Sequence, residues 1–175
     1  NVKRPTLKVR GYKEMSVVAW DGRFIAADKQ ATNSGLRIKT TKMRKLNSGE
    51  ITAWTGDQDS GLALARWYEA GASHEKWPDF QKDKENWTRL IVAGPRGVVF
   101  FEQQPEPQVV EEPFMAWGSG RDFAMGALAH GATAEEAVII TCRFCITCGL
   151  GVDVIEPGPA GKAYDEYLKD AVGIR

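Results

Sequence analysis

What most limits the folds open to this sequence is the order in which its strand-like and helix-like segments occur. "SVVAW" (16–20) and "RFIAAD" (23–28) read as two strands joined at Asp21-Gly22, a dipeptide that favours tight hairpin turns. Alternating segments flank a turn at Asn33-Ser34-Gly35, and a second turn at Asn47-Ser48-Gly49 leads into "EITAWTG" (50–56), so this part reads as a β-meander. The period then changes. "DSGLALARWYEAG" (59–71) has helical spacing, with Asp59 or Ser60 as its N-cap and Gly71 at its end. The polar stretch 72–86, interrupted by Pro78, reads as a loop or short helix. Residues 87–103 give two more strands around Gly94-Pro95-Arg96-Gly97, and 104–113 form a Pro/Glu-rich connection. From Phe114 to Cys145 the pattern is strand, glycine turn, helix, short turn, helix, with Thr133 and Glu136 spaced as a capping box. "VDVIE" (152–156) is a last strand, and the Gly/Pro-rich 157–175 reads as a tail.

Segregated runs of strands and helices predict a layered α+β domain rather than an alternating doubly wound sheet. With helices available for both outer faces, two central antiparallel sheets fit the pattern. A chain of 175 residues with 43% hydrophobic residues can bury the core such a domain needs. Lys+Arg and Asp+Glu are 23 each, so no net field draws the chain to nucleic acid or to an anionic membrane. No apolar run has membrane-spanning length, and a cytoplasmic protein is expected. Residues 1–14 are rich in Lys and Arg and read as a basic extension: a propeptide, an arm or a leftover of cloning.

Cys142, Cys145 and Cys148 form C-x-x-C-x-x-C. The spacing is part of an iron–sulfur run, but no fourth cysteine completes a ligand set, so core packing is the expected role. Neither histidine, His74 or His130, has a serine partner in sequence context that would suggest a Ser-His pair.

Four stretches in order, "SVVAWDGRFIAADKQAT", "IKTTKMRKL", "AWTGDQDS" and "AWGSGRDFAMGALAHGATAEEAV", resemble the proteasome β-subunit family. That family includes the peptidase of the bacterial heat-shock protease and short proteasome-like proteins of bacterial and phage genomes. The resemblance runs from about Met15 to Glu156. It implies a four-layer αββα sandwich, the N-terminal nucleophile hydrolase fold. In that class the hydroxyl of the first residue attacks a peptide carbonyl and the free α-amine is its general base. An α-amine titrates at about 7.7–8.0, so it serves at neutral pH without a histidine or a cofactor.

Carried onto this sequence, the nucleophile falls at Ser16, with Met15 its neighbouring alternative. The orienting acid matches Asp28 and the lysine that lowers the nucleophile's pKa matches Lys42, one of five Lys/Arg between Arg37 and Lys45. Gly56 matches the glycine whose N–H stabilises the oxyanion, and Ser119 the serine beside the site. Trp54 and Gln58 are implied to line the pocket for the substrate side chain. The resemblance further implies a peptide or unfolded-protein substrate, a homo-oligomeric ring and an ATPase unfoldase as partner. Three features depart from the family. Ser16 stands for the usual Thr, residues precede it that would block its amine, and Cys145 and Thr147 stand where an Asp and a Ser are usual. These departures support an alternative, a catalytically inactive proteasome-fold protein kept for assembly.

Overall fold

The computed structural model describes residues 15–82 and 87–172; the basic stretch 1–14 lies outside them. The first sheet is antiparallel and holds β1 (Val17–Trp20) and β2 (Ile25–Asp28) at its centre. The hairpin β3 (Gln30–Asn33) and β4 (Leu36–Lys39) stands apart. The second sheet runs in chain order through β5 (Met43–Lys45), β6 (Ile51–Thr55), β7 (Arg89–Gly94), β8 (Gly97–Phe101) and β9 (Gln108–Val109). β10 (Met115–Gly118) pairs with β1 and β11 (Val152–Ile155) with β2, closing the first sheet. The α-helices are α1 (Gln58–Glu69), α2 (Arg121–Ala129), α3 (Ala134–Phe144) and α4 (Lys162–Val172).

Side chains along a strand point alternately to opposite faces, and here both faces are covered. From β1 and β2, Val18, Trp20, Ile25 and Ala27 meet Ile51, Ala53, Ile91 and Ala93 of the second sheet. The alternate residues Val17, Ala19 and Ala26 pack against Ala124 and Leu128 of α2 and Ala137 and Val138 of α3. On the far side of the second sheet, Trp54, Leu90, Val92 and Phe101 pack under Leu64, Trp67 and Tyr68 of α1 and Tyr164 of α4. Three cores between four layers make an αββα sandwich, as expected. Each fully buried Val, Leu or Ile stabilises it by about 1.5–3 kcal/mol.

Local readings needed correction at four places. The early strands are not one meander: after Asp28 the chain leaves the first sheet, forms the exposed β3–β4 hairpin and crosses to the second. The Asp21-Gly22 turn is a four-residue loop, with Trp20 opposite Ile25 and Asp21 Oδ1 accepting from the Arg23 and Phe24 N–H groups. The cap of α1 is Asp57, not Asp59 or Ser60, because Asp57 Oδ1 takes both the N–H and the hydroxyl of Ser60. Finally, the supposed tail contains α4. Its Tyr164 is fully buried and its hydroxyl donates to Gly97 O at 2.9 Å, docking the helix on the β7–β8 turn. Tyr164→Ala is therefore expected to cost about 3–5 kcal/mol, read as a lower urea midpoint. A loss below about 1 kcal/mol would mean that α4 contributes nothing to the core. Two further features follow expectation: the 72–86 stretch contains two short 3₁₀ turns, and Thr133 and Glu136 form the capping box of α3. The 104–113 segment, expected to be only a connection, also carries β9, which pairs with Val99 and Phe100 of β8.

Candidate active site

Antiparallel pairing of β1 with β2 sets Val18 opposite Ala27, so the start of one strand meets the end of the other. That register puts the Ser16 end of β1 beside Asp28, whose direct partner is Val17. The Val17 N–H donates to Asp28 Oδ1 at 2.9 Å, and Lys42 Nζ donates to the same oxygen at 2.8 Å. The other oxygen, Asp28 Oδ2, accepts from the N–H of Gln30 at 3.1 Å and of Gly149 at 3.0 Å. Asp28 is fully buried and Lys42 is 3% exposed, so water does little to stabilise either charge. Three backbone N–H groups and the hydrogen-bonded Lys42–Asp28 ion pair do so instead, the condition under which buried charges persist. Lys42 also donates to Met15 O at 3.3 Å, reaching the carbonyl of the peptide bond that precedes Ser16.

The backbone of Ser16 is gripped from the other side by the turn between β10 and α2. Ser16 O accepts from the Gly120 N–H at 3.3 Å and from Ser119 Oγ at 3.4 Å. Ser119 Oγ lies 2.7 Å from Thr147 Oγ1, which lies 3.0 Å from Cys145 Sγ. Gly118 makes this approach possible: its φ is +96° and a Cβ there would stand 2.2 Å from Ser16 O. Both facts bar a side chain. Gly118→Ala is expected to displace Ser16 and to lower the melting temperature by several degrees, about what 1–3 kcal/mol of backbone strain costs. An unchanged melting temperature would show that the turn yields freely.

An open cleft of about 520 Å³ lies over these groups. Ser16, Lys42, Gly56 and Gln58 line it, with Gln30 and Thr40 from the side of the β3–β4 hairpin and Asp57 and Asp59 from the start of α1. The structure thus brings Asp28 and Lys42 onto the backbone on either side of Ser16 and Ser119 onto its carbonyl, with Gly56 and Gln58 lining the same cleft. Trp54 does not belong there. It is 1% exposed and lies under α1, where a Cβ on Gly61 would stand 2.1 Å from its ring. Its part is indirect: Trp54 Nε1 donates to Gln58 Oε1 at 3.1 Å, and Gln58 Nε2 donates to Thr41 O at 3.0 Å, fixing Gln58 at the rim. Neither histidine lines the cleft: His74 lies in the 3₁₀ turn near Glu106 and His130 caps α2.

Sequence reasoning missed Gln30, Gly149 and the link from Thr147 to Ser119. Gln30 lines the cleft while donating from Nε2 to Ile146 O at 3.2 Å. The Gln30–Ile146 and Gly149–Asp28 contacts join residues more than a hundred positions apart, and the Thr147–Ser119 link joins two different turns, so none leaves a local pattern. The cysteines divide: Cys148 is buried in the core as expected, while Cys142 and Cys145 are half-buried at its edge. Among the described residues, no group of three or more His, Cys, Asp or Glu side chains is arranged to hold a metal ion.

No protein-family model matches this sequence, and no curated protein matches it. Solved structures do. Thiobacillus denitrificans BPH is similar with a TM-score of 0.61 and 22% identity, over 82% of this chain and 99% of that one. BPH solved in complex with epoxomicin is similar with a TM-score of 0.60 and 23% identity, over 82% and 100% of the two chains. Eukaryotic HslV from Trypanosoma brucei is similar with a TM-score of 0.61 and 18% identity, over 80% and 97%. The fold is that of HslV and the proteasome β-subunit. At these identities the likeness is one of fold, and the chain spans nearly the whole of each of these structures. Among the described residues no helix is long and apolar enough to cross a membrane.

Proposed function

We propose that this chain is an N-terminal nucleophile hydrolase that uses Ser16 to cut peptide bonds, after cleavage between Met15 and Ser16. The observation that carries this reading is the buried Lys42–Asp28 pair, whose ammonium reaches Met15 O at 3.3 Å. In the uncut chain that ammonium polarises the Met15 carbonyl. The Ser16 hydroxyl attacks its carbon, the C–N bond breaks as an ester forms, and water releases residues 1–15 and a free α-amine. The amine is then the general base for attack on substrate. Lys42 favours the ionised nucleophile by its charge, Asp28 holds Lys42 and the strand in place, and Ser119 holds the Ser16 carbonyl. The Gly56 N–H is assigned to the oxyanion, a role that in other hydrolases is worth about 2.7–4 kcal/mol per donor.

Gln58, with Asp57 and Asp59, is assigned to the wall that receives the substrate side chain. Unfolded polypeptide is the substrate class, cut inside a homo-oligomeric ring fed by an ATPase unfoldase. The ring is supported by Phe123, Ile139, Phe144 and Ile146, exposed apolar side chains on α2, α3 and the turn after them. The second reading, an inactive assembly protein, is favoured by the absence of a carboxylate at Cys145 and Thr147. Incubation of the purified protein separates the two. Hydrolysis of fluorogenic peptides is expected to appear in step with loss of residues 1–15 from the intact mass. An unchanged mass with no turnover sinks the hydrolase. BPH has been solved with epoxomicin, which makes that compound the first inhibitor to try.

A further inference from the structure

The turn after α3 carries two thiols that the proposed hydrolysis does not use. Cys148 N–H donates to Cys145 O at 3.1 Å, so residues 145–148 form a turn that sets the two side chains on one side. Cys148 Sγ lies 3.5 Å from Cys145 Sγ. A disulfide needs about 2.05 Å and Cα atoms within about 7 Å, so the turn brings the sulfurs close to bonding geometry without refolding. The same turn is fastened to the candidate active site at three points. Gly149 N–H holds Asp28 Oδ2, Ile146 O holds Gln30, and Thr147 Oγ1 joins Cys145 Sγ to Ser119 Oγ.

We propose that Cys145 and Cys148 are a hydroperoxide-responsive pair whose disulfide loosens the Ser16 end of the site. The Cys145 thiolate attacks the hydroperoxide, the O–O bond breaks, and an alcohol or water leaves as Cys145 becomes a sulfenic acid. The Cys148 sulfur then attacks Cys145, the S–S bond forms, and the hydroxyl departs with the Cys148 proton as water. Two thiols are oxidised by two electrons and one hydroperoxide is reduced. Cys145 is the first to react because it is half-buried where Cys148 is 2% exposed. Its acidity agrees. Burial opposes ionisation, but hydrogen bonds from Thr147, Cys148 and Ser119 outweigh it and hold the thiol below its ordinary value, the direction that marks a reactive cysteine. Cys142, by contrast, is pushed up to about 11 by burial. As Cys145 Sγ turns toward Cys148 it leaves Thr147, and the support of Ser119 on Ser16 O weakens.

Peptide mapping tests the bond without reference to activity. Trypsin cuts after Arg143 and Lys162, so one peptide, 144–162, holds Cys145 and Cys148 while Cys142 lies on 122–143. After hydrogen peroxide and alkylation, peptide 144–162 is expected to be lighter by two hydrogens, unalkylated, and restored by dithiothreitol. Alkylation of both thiols, arrest of Cys145 as a sulfinic acid, or a cross-link to 122–143 would each overturn the pair. The coupling is read separately by hydrogen exchange. Oxidation is expected to speed exchange of the Gly120 amide about tenfold, the loss of one hydrogen bond. Unchanged exchange there, with the disulfide formed, would overturn the coupling. Only the further consequence, slower turnover, rests on the hydrolase reading, so a failure of that reading leaves these two results interpretable.

Discussion

Ser16→Ala is expected to leave the chain folded, to retain residues 1–15 and to abolish peptide hydrolysis. Loss of the nucleophile in a hydrolase removes on the order of a million-fold in rate, so turnover should fall below detection. The fold should survive because Ser16 contributes backbone rather than side-chain bonds to the site: Ser16 O takes Gly120 N–H and Ser119 Oγ, and neither needs the hydroxyl. Ser16→Thr keeps a hydroxyl on a β-branched side chain suited to the edge of a strand, and is expected to retain both cleavage and turnover. Hydrolysis by Ser16→Ala at the wild-type rate would move the chemistry elsewhere. Retention of cleavage by the same variant would show that another group breaks the Met15–Ser16 bond.

Lys42→Met is expected to be as damaging to activity and far more damaging to stability. Asp28 is fully buried and, among the described residues, Lys42 is the only cation that donates a hydrogen bond to it; the other three donors are backbone N–H groups. Removing the ammonium leaves the carboxylate uncompensated, which costs about 3–5 kcal/mol. Chemical denaturation should therefore show a much lower midpoint than for Ser16→Ala. Adding Asp28→Asn to Lys42→Met removes the stranded charge and should recover part of the stability but none of the cleavage. If the double variant were no more stable than Lys42→Met, the cost would lie in lost packing and not in the charge. A Lys42→Met chain that still lost residues 1–15 would detach the pair from the chemistry.

The parts of this molecule legible in the sequence are those encoded locally. Period two in "VVAW" and "IAAD", joined through Asp21-Gly22, places the ends of β1 and β2 together, and with them Ser16 and Asp28. The same alternation argues against Trp54 as a pocket residue. Ile51 and Ala53 face the other sheet, so Trp54 must face α1, and it does. The helix in the C-terminal stretch was hidden by its Gly/Pro-rich approach. Tyr164, Tyr167 and Leu168 nevertheless lie at the i, i+3, i+4 spacing of one helix face, and all three pack against the α1-side core. Lys42 was reached by family resemblance, since five basic residues crowd that stretch. Only the fold shows which one enters the core. The hold of Ser119, Thr147 and Gly149 on Ser16 and Asp28 comes from two turns, one after β10 and one after α3, and no local pattern announces it.

The central claim, that Ser16 becomes a free N-terminal nucleophile, is tested most directly by sequencing the N-terminus of the protein made from its own gene. The first cycles are expected to read Ser, Val, Val, Ala, Trp, the order that begins at Ser16. A mature protein whose chain still runs through Met15 into Ser16 would contradict it.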